Sequence, residues 1–161
     1  MLVSRYKPIL YLQYFLLFED LLMNSFVELL RFRDVILLVL HVIQDVCIVF
    51  SVIVIFLLFF NTYIFQAGLV TILVNKFRIP IAVTFLYFAL CVALHVWGMT
   101  IRWANPDVYI WKNNGYRALY VFQRIGAVLY YYFYKRTALK LGDPRFYQDS
   151  EWIRKEFEKR R

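Results

Sequence analysis

Val46-Cys47-Ile48-Val49-Phe50-Ser51-Val52-Ile53-Val54-Ile55-Phe56-Leu57-Leu58-Phe59-Phe60 is a run of fifteen residues broken only by Ser51. A segment with no polar side cannot sit on the surface of a water-soluble domain. Its Val and Ile content alone would favour a strand, but followed back to Val35 the stretch is long enough to cross a hydrocarbon core of about 30 Å, which takes roughly 20 residues of helix. In lipid every backbone N–H and C=O must be satisfied within the segment, so the run predicts a helix.

Three further stretches have comparable length and apolar content: Pro8 to Leu30, Pro80 to Ile101 and Tyr116 to Tyr134. With Val35 to Phe60 they predict an all-α integral membrane protein: a four-transmembrane-helix bundle over residues 1–134, then a basic cytosolic tail over 135–161 with a short C-terminal helix. Composition agrees. Of 161 residues, 62% are hydrophobic and 20% aromatic, and a soluble domain this short would leave much of that surface in large exposed patches. The net charge of +8 comes from residues between and after the apolar runs. That placement suits the bilayer and its anionic lipids at the cytosolic face, and no nucleic-acid partner is expected.

Arg5 and Lys7 precede the first stretch as they would in a signal peptide, but its length, Glu19 and Asp20, and the lack of a small-residue cleavage site predict an uncleaved span. Residue 2 is Leu, and neither a prenylation box nor an Asn-x-Ser/Thr sequon occurs, so lipid anchoring and N-glycosylation have no support. The first span carries Glu19, Asp20 and Glu28, each costing up to about 2.5–3.5 kcal/mol at a helix centre against about 0.3–0.6 gained per Leu, Ile, Phe or Val. Its insertion therefore calls for partners for those acids. The fourth span holds Arg117, Gln123 and Arg124 and ends in an aromatic belt, Tyr130, Tyr131, Tyr132 and Tyr134, followed by Lys135 and Arg136.

Short connections imply antiparallel neighbours, with a loop of nearly twenty residues after the second span and turns at Asn105-Pro106-Asp107 and Asn113-Asn114-Gly115. Lys and Arg number thirteen on the side of the N-terminus, second loop and tail, against five on the other side. Both termini are therefore expected in the cytosol.

Polar residues inside membrane spans are candidates for function. At 100° per residue, Gln13, Asp20 and Asn24 share a face of the first span, and His41, Gln44, Asp45 and Ser51 an edge of the second. Thr84, Tyr87, Cys91, His95, Gly98 and Arg102 line the third, and Arg117, Tyr120, Arg124 and Tyr131 the fourth. By helical rise, Asp20, Asp45 and Arg124 each lie about 15–18 Å in from a membrane face. This predicts an intramembrane polar cluster of Asp20, His41, Asp45 and Arg124 in which Arg124 pairs with Asp20 or Asp45. Such a pair serves as glue between helices, or else as part of an ion or proton pathway in a small channel or transporter. Span two beyond Ser51 is wholly apolar, which opposes a pathway.

His41, His95, Asp45, Cys47 and Cys91 are metal-ligand types, but no HExxH or CxxC spacing is present and no metal or other cofactor is expected. The absence of a Gly-rich phosphate loop, of GxSxG and of a Ser/His/Asp order leaves no catalytic residue to name, and no enzymatic activity is expected. In the tail, Lys135, Arg136 and Lys140 are expected at the membrane surface. After a Gly142-Asp143-Pro144 break, a helix capped by Asp149 or Ser150 would carry Trp152, Ile153 and Phe157 on one face, for the cytosolic leaflet or for a protein partner.

The runs Phe59-Phe60-Asn61-Thr62-Tyr63, Phe65-Gln66-Ala67-Gly68-Leu69-Val70 and Tyr87-Phe88-Ala89-Leu90 resemble the transmembrane protein 138 family. So do Tyr134-Lys135-Arg136-Thr137-Ala138, Leu141-Gly142-Asp143-Pro144, Phe146-Tyr147-Gln148-Asp149-Ser150 and Arg154-Lys155-Glu156-Phe157. The likeness spans nearly the whole chain and is loose in the first dozen residues and from Ala104 to Tyr116. It implies a non-enzymatic multi-pass protein of the cilium or ciliary-base membrane and of vesicle or vacuolar membranes. Such a protein would be required for cilium assembly as a scaffold or trafficking component, among other transition-zone membrane proteins.

Overall fold

The computed structural model describes residues 3–27, 33–66, 68, 70–104, 109–143, 146, 155 and 158. Every regular element among them is helical: α1 (Val3–Phe26), α2 (Asp34–Phe60), the single turn α3 (Tyr63–Gln66), α4 (Val70–Ala104) and α5 (Asn114–Leu141), with a 3₁₀ turn at Ile110–Lys112 before α5. The apolar run at 46–60 is helix throughout, as expected of a segment whose backbone must satisfy itself. Among the described residues, two helices are long and apolar enough to cross a membrane, Asp34–Phe60 and Leu73–Ala104.

The four long helices close a ring, α1 against α2, α2 against α4, α4 against α5 and α5 against α1. Apolar packing fills both ends. The main core joins Ile48, Ile55, Leu58 and Phe59 of α2 to Phe77 of α4 and to Tyr134 and Leu141 of α5. Smaller clusters at the other end centre on Val27, Leu37 and Met99, and on Leu94, Ile110 and Tyr116. There Arg102 Nη1 reaches Asp34 Oδ1 at 3.7 Å, tying the last turn of α4 to the first of α2. Asn113 caps α5, its side chain accepting from the backbone N–H of Gly115 and Tyr116.

The helices run beyond the predicted stretches. The expected long second loop is mostly the first turns of α4, because Leu73 and Phe77, one turn apart, are both buried. The Phe77 ring lies 5.3 Å from that of Phe59, which holds the segment helical well before Pro80. Pro80 is thus an interior residue of α4 rather than its start. The expected boundary between bundle and tail also moves: α5 continues through Lys135, Arg136 and Lys140, with Thr137, Ala138 and Leu141 buried, and ends at Gly142. A Cβ on Gly142 would lie 2.7 Å from Tyr6 Cε1, so the missing side chain lets the N-terminal helix pack there, where the Tyr6 hydroxyl donates to the Ala138 carbonyl. Glu28, Leu29, Leu30 and the Asn105-Pro106-Asp107 turn lie outside the described residues, as do Trp152, Ile153 and Phe157 of the tail.

Candidate functional site

Polar side chains are buried beside the apolar core, while many large apolar side chains face outward. Gln13, Asp20, His41, Gln44, Ser51, Thr84, His95 and Gln123 are buried, while Phe15, Phe18, Phe50, Leu86, Phe122 and Val128 stand exposed. On α2 the buried positions Leu37, His41, Gln44, Ile48, Ser51, Ile55 and Leu58 recur every three or four residues, so one helical face gathers the polar groups among apolar ones.

These faces meet around Asp20, whose side chain is 1% exposed. Its Oδ1 accepts the Gln44 amide at 2.8 Å, and its Oδ2 accepts the hydroxyls of Tyr87 at 2.7 Å and Tyr131 at 2.6 Å. Asn24 Nδ2, one turn along α1, lies 2.7 Å from the Tyr87 hydroxyl and 2.8 Å from that of Tyr131. The same nitrogen lies 3.1 Å from Asp20 Oδ2. Each tyrosine gives its one proton to Asp20 and accepts from the Asn24 amide, whose two protons are shared among the two hydroxyls and the carboxylate, so both hydroxyls act as donor and acceptor together. Asn24 Oδ1 accepts from Gln123 Nε2 at 3.0 Å, and that nitrogen also lies 3.4 Å from Cys91 Sγ. Behind the knot the Tyr87 ring stacks on Tyr130, with centroids 4.7 Å apart. One carboxylate thus draws side chains from all four long helices, and mutually polarised hydrogen bonds of this kind strengthen one another in a low-dielectric interior.

A second polar group lies toward the other end of the bundle. His95 Nδ1 is 3.0 and 3.1 Å from the two oxygens of Asp45, and the His95 ring stacks on His41 at 4.1 Å, the planes 8° apart. A pocket of about 20 Å³ between the two groups is lined by Asn24, Gln44, His41, His95, Tyr120 and Arg124, among others. That is room for one water-sized guest. Among the described residues no three His, Cys, Asp or Glu side chains converge as metal ligands.

The predicted pairing of Arg124 with Asp20 or Asp45 is not what forms. Asp20 is held by neutral donors and Asp45 by His95. The Arg124 guanidinium instead packs over its own neighbour Tyr120, its carbon 4.5 Å from the ring centroid, with Nη2 donating to the Tyr120 hydroxyl at 2.8 Å. From α5 the knot is reached by Tyr131, which lies on the predicted face, and by Gln123, which the predicted cluster omits. Gln123 and Arg124 point 100° apart on the helix. A signal was available, since Gln123 is the one amide side chain between Tyr116 and Tyr134.

The model of the family described as Transmembrane protein 138 matches residues 37–156. The chain belongs to the transmembrane protein 138 family. It is 58% identical to Transmembrane protein 138 of Mus musculus, over 96% of this chain and 94% of the mouse protein. Identity to the namesake of Xenopus tropicalis is 51% over the same shares. With that of Danio rerio it is 50%, over 98% of this chain and 97% of the fish protein. No solved structure matches. For this transmembrane protein 138 family member, then, nearly all of α2, all of α3 through α5, and most of the knot, Gln44, Tyr87, Cys91, Gln123 and Tyr131, fall within the matched segment.

The arrangement around Arg124 carries a prediction. Removing one partner of a buried ion pair costs about 3–5 kcal/mol, because the other charge is left alone. Arg124 leaves no acid behind, so Arg124→Leu is expected to change thermal stability in detergent by less than about 1 kcal/mol, the scale of a cation over an aromatic ring. A loss on the ion-pair scale would restore the predicted pairing.

Proposed function

We propose that the chain crosses the bilayer four times with both termini in the cytosol and serves, without enzymatic chemistry, as a scaffold or trafficking component for ciliary membrane proteins in cilium assembly. The observation that carries the membrane part of this reading is the sidedness of α1 and α5, the two less apolar long helices. Their polar residues Gln13, Asp20 and Gln123 are buried, while Tyr11, Phe15, Phe18, Phe122, Ile125 and Val128 face outward. With acids and amides turned inward, all four helices present an apolar surface that lipid can cover. The exposed Lys135, Arg136 and Lys140 at the end of α5 suit anionic headgroups on the cytosolic face.

The ciliary part rests on family membership and on what the resemblance implies: residence in the cilium or ciliary-base membrane and in vesicle or vacuolar membranes, beside other transition-zone membrane proteins. A static role fits the knot, in which each proton of the two tyrosines is already committed. The channel or transporter alternative would need a continuous polar route past the apolar core of Ile48, Ile55, Leu58, Phe59 and Phe77, and the polar side chains buried in that half, such as Gln13, Ser51 and Thr137, stand among those apolar ones. The test is a tagged chain expressed in ciliated cells from which the native protein has been removed. The expected result is accumulation at the ciliary base, restored cilium number, and both termini accessible only after permeabilisation. Rescue without ciliary localisation, or a terminus exposed on intact cells, would overturn the proposal.

A further inference from the structure

Asp45 differs from Asp20 in what surrounds it. It lies eleven residues into α2, about 16 Å along the axis and so near mid-bilayer if the helix spans. Yet 24% of its side chain is exposed, against 9% for its partner His95. The exposed part opens into a groove of about 250 Å³ between α2 and α4, walled by Val42, Val46, Val49, Phe50, Ile53 and Phe88. Past Phe88 the surface continues along α4 over Ala89, Val92, Ala93 and Val96.

The donor count marks this carboxylate as incomplete. Two oxygens offer about four acceptor positions, and both face one nitrogen, His95 Nδ1, which brings a single proton. Asp20, by contrast, is met by three separate donors besides Asn24. A carboxylate left toward hydrocarbon is costly at this depth, and an acyl chain in the groove supplies no donor. A two-fold contact with a second copy would bring Asp45 toward its own mate, acid to acid, among Val, Phe, Ile and Ala side chains. Charge complementarity therefore selects a helix of another protein carrying a cation. Ala89 and Ala93, one turn apart beside the groove, allow such a helix to approach closely.

We propose that the α2–α4 groove is the docking site for a transmembrane helix of another membrane protein, one that presents a lysine or arginine to Asp45. The inference rests on the four-span reading above and names the kind of partner a scaffold would hold.

The experiment places a photocrosslinking residue on the groove, Phe50→p-benzoylphenylalanine, in the full-length chain in ciliated cells, with Val128→p-benzoylphenylalanine on α5 as the control face. The adduct is sequenced. The expected product from Phe50 is a peptide of a different protein with a Lys or Arg inside an apolar stretch of membrane-spanning length. Its yield should fall at least tenfold in Asp45→Leu and in the near-isosteric Asp45→Asn. It should return when Asp45→Arg is combined with an acidic replacement of the captured base. Lipid adducts alone, an adduct of twice the chain's own mass, a captured helix without a base, or a yield indifferent to Asp45 would each overturn the proposal. Localisation is scored in the same cells: ciliary residence with only lipid adducts sinks the docking site alone, whereas the expected adduct in a chain absent from the ciliary base sinks the ciliary role alone.

Discussion

Asp20→Leu is expected to be the most damaging single substitution in the bundle interior. It leaves the Gln44 amide and the Tyr87 and Tyr131 hydroxyls, from three different helices, without their acceptor at a site that is 1% exposed. An orphaned buried donor costs about 1–3 kcal/mol, and the interhelical hydrogen bonds of membrane proteins average about 0.6 and reach about 1.7. Three of them sum to roughly 2–5 kcal/mol, or a fall in Tm of about 10 °C for a chain of this size. Asp20→Asn should cost about 1 kcal/mol, on the scale of one hydrogen bond, because its carbonyl still accepts and the tyrosine hydroxyls can turn to accept from its amide. Thermal unfolding of the three proteins in one detergent measures the order, wild type above Asn above Leu. A leucine variant as stable as wild type would mean that the knot contributes nothing to holding the helices together.

Ending the chain after Lys140 is expected to destroy the fold, whereas ending it after Phe146 is expected to preserve it. Leu141 is 0% and Phe146 4% exposed, and both belong to the main core. The Phe146 ring packs 6.1 Å from that of Phe77, with Lys76 Nζ 4.8 Å above it. Each such side chain is worth about 1.5–3 kcal/mol by burial alone, and the Lys140 truncation loses both. It also loses Gly142, against which Tyr6 is seated. The share of each protein that stays monodisperse after detergent extraction, with its Tm, separates the two truncations. Equal stability would show that residues 141–146 lie on the bundle without supporting it. The difference matters for any study of the tail, since a deletion that cuts into the core would be mistaken for loss of a binding partner.

Hydrophobic runs, helical period and rise per residue made much of this architecture legible beforehand. They were sufficient for α2 and for the inward faces of α1 and α4, where Gln13, Asp20, Thr84, Tyr87, Cys91 and His95 are indeed buried. They were insufficient for α5. Period and depth place side chains on a face and at a level, but several polar groups share the level of Asp20. The choice of Arg124 assumed that a buried acid takes a cation. Stripping water from two charges is expensive, and neutral amides and hydroxyls can satisfy a carboxylate without that second cost. The long first part of α4 was hidden for another reason. Lys76 and Arg78 look like loop residues until Phe77 is seen to pack on Phe59, with Leu73 in the same core, a contact between residues distant along the chain. Trp152, Ile153 and Phe157 lie outside the described residues, and their role stays with the proposal that the tail meets lipid or a partner.

The sequence separations inside the knot also set a timetable. Asp20 and Tyr131 are 111 residues apart, and Asn24 and Gln123 are 99 apart. At about 5–20 residues per second of synthesis, the carboxylate on α1 emerges roughly 6–20 s before its last hydrogen-bond donor. On the four-span proposal, α1 is during that interval a poorly inserting segment whose acid lacks its full set of donors, and it is retained only if something shelters it. The ribosome delivers α2 first, with Gln44, then α4 with Tyr87, and only at the end the helix that closes the ring. Completion of the nascent chain and burial of its acid are therefore one event, and an interrupted chain carries a visible mark of being unfinished.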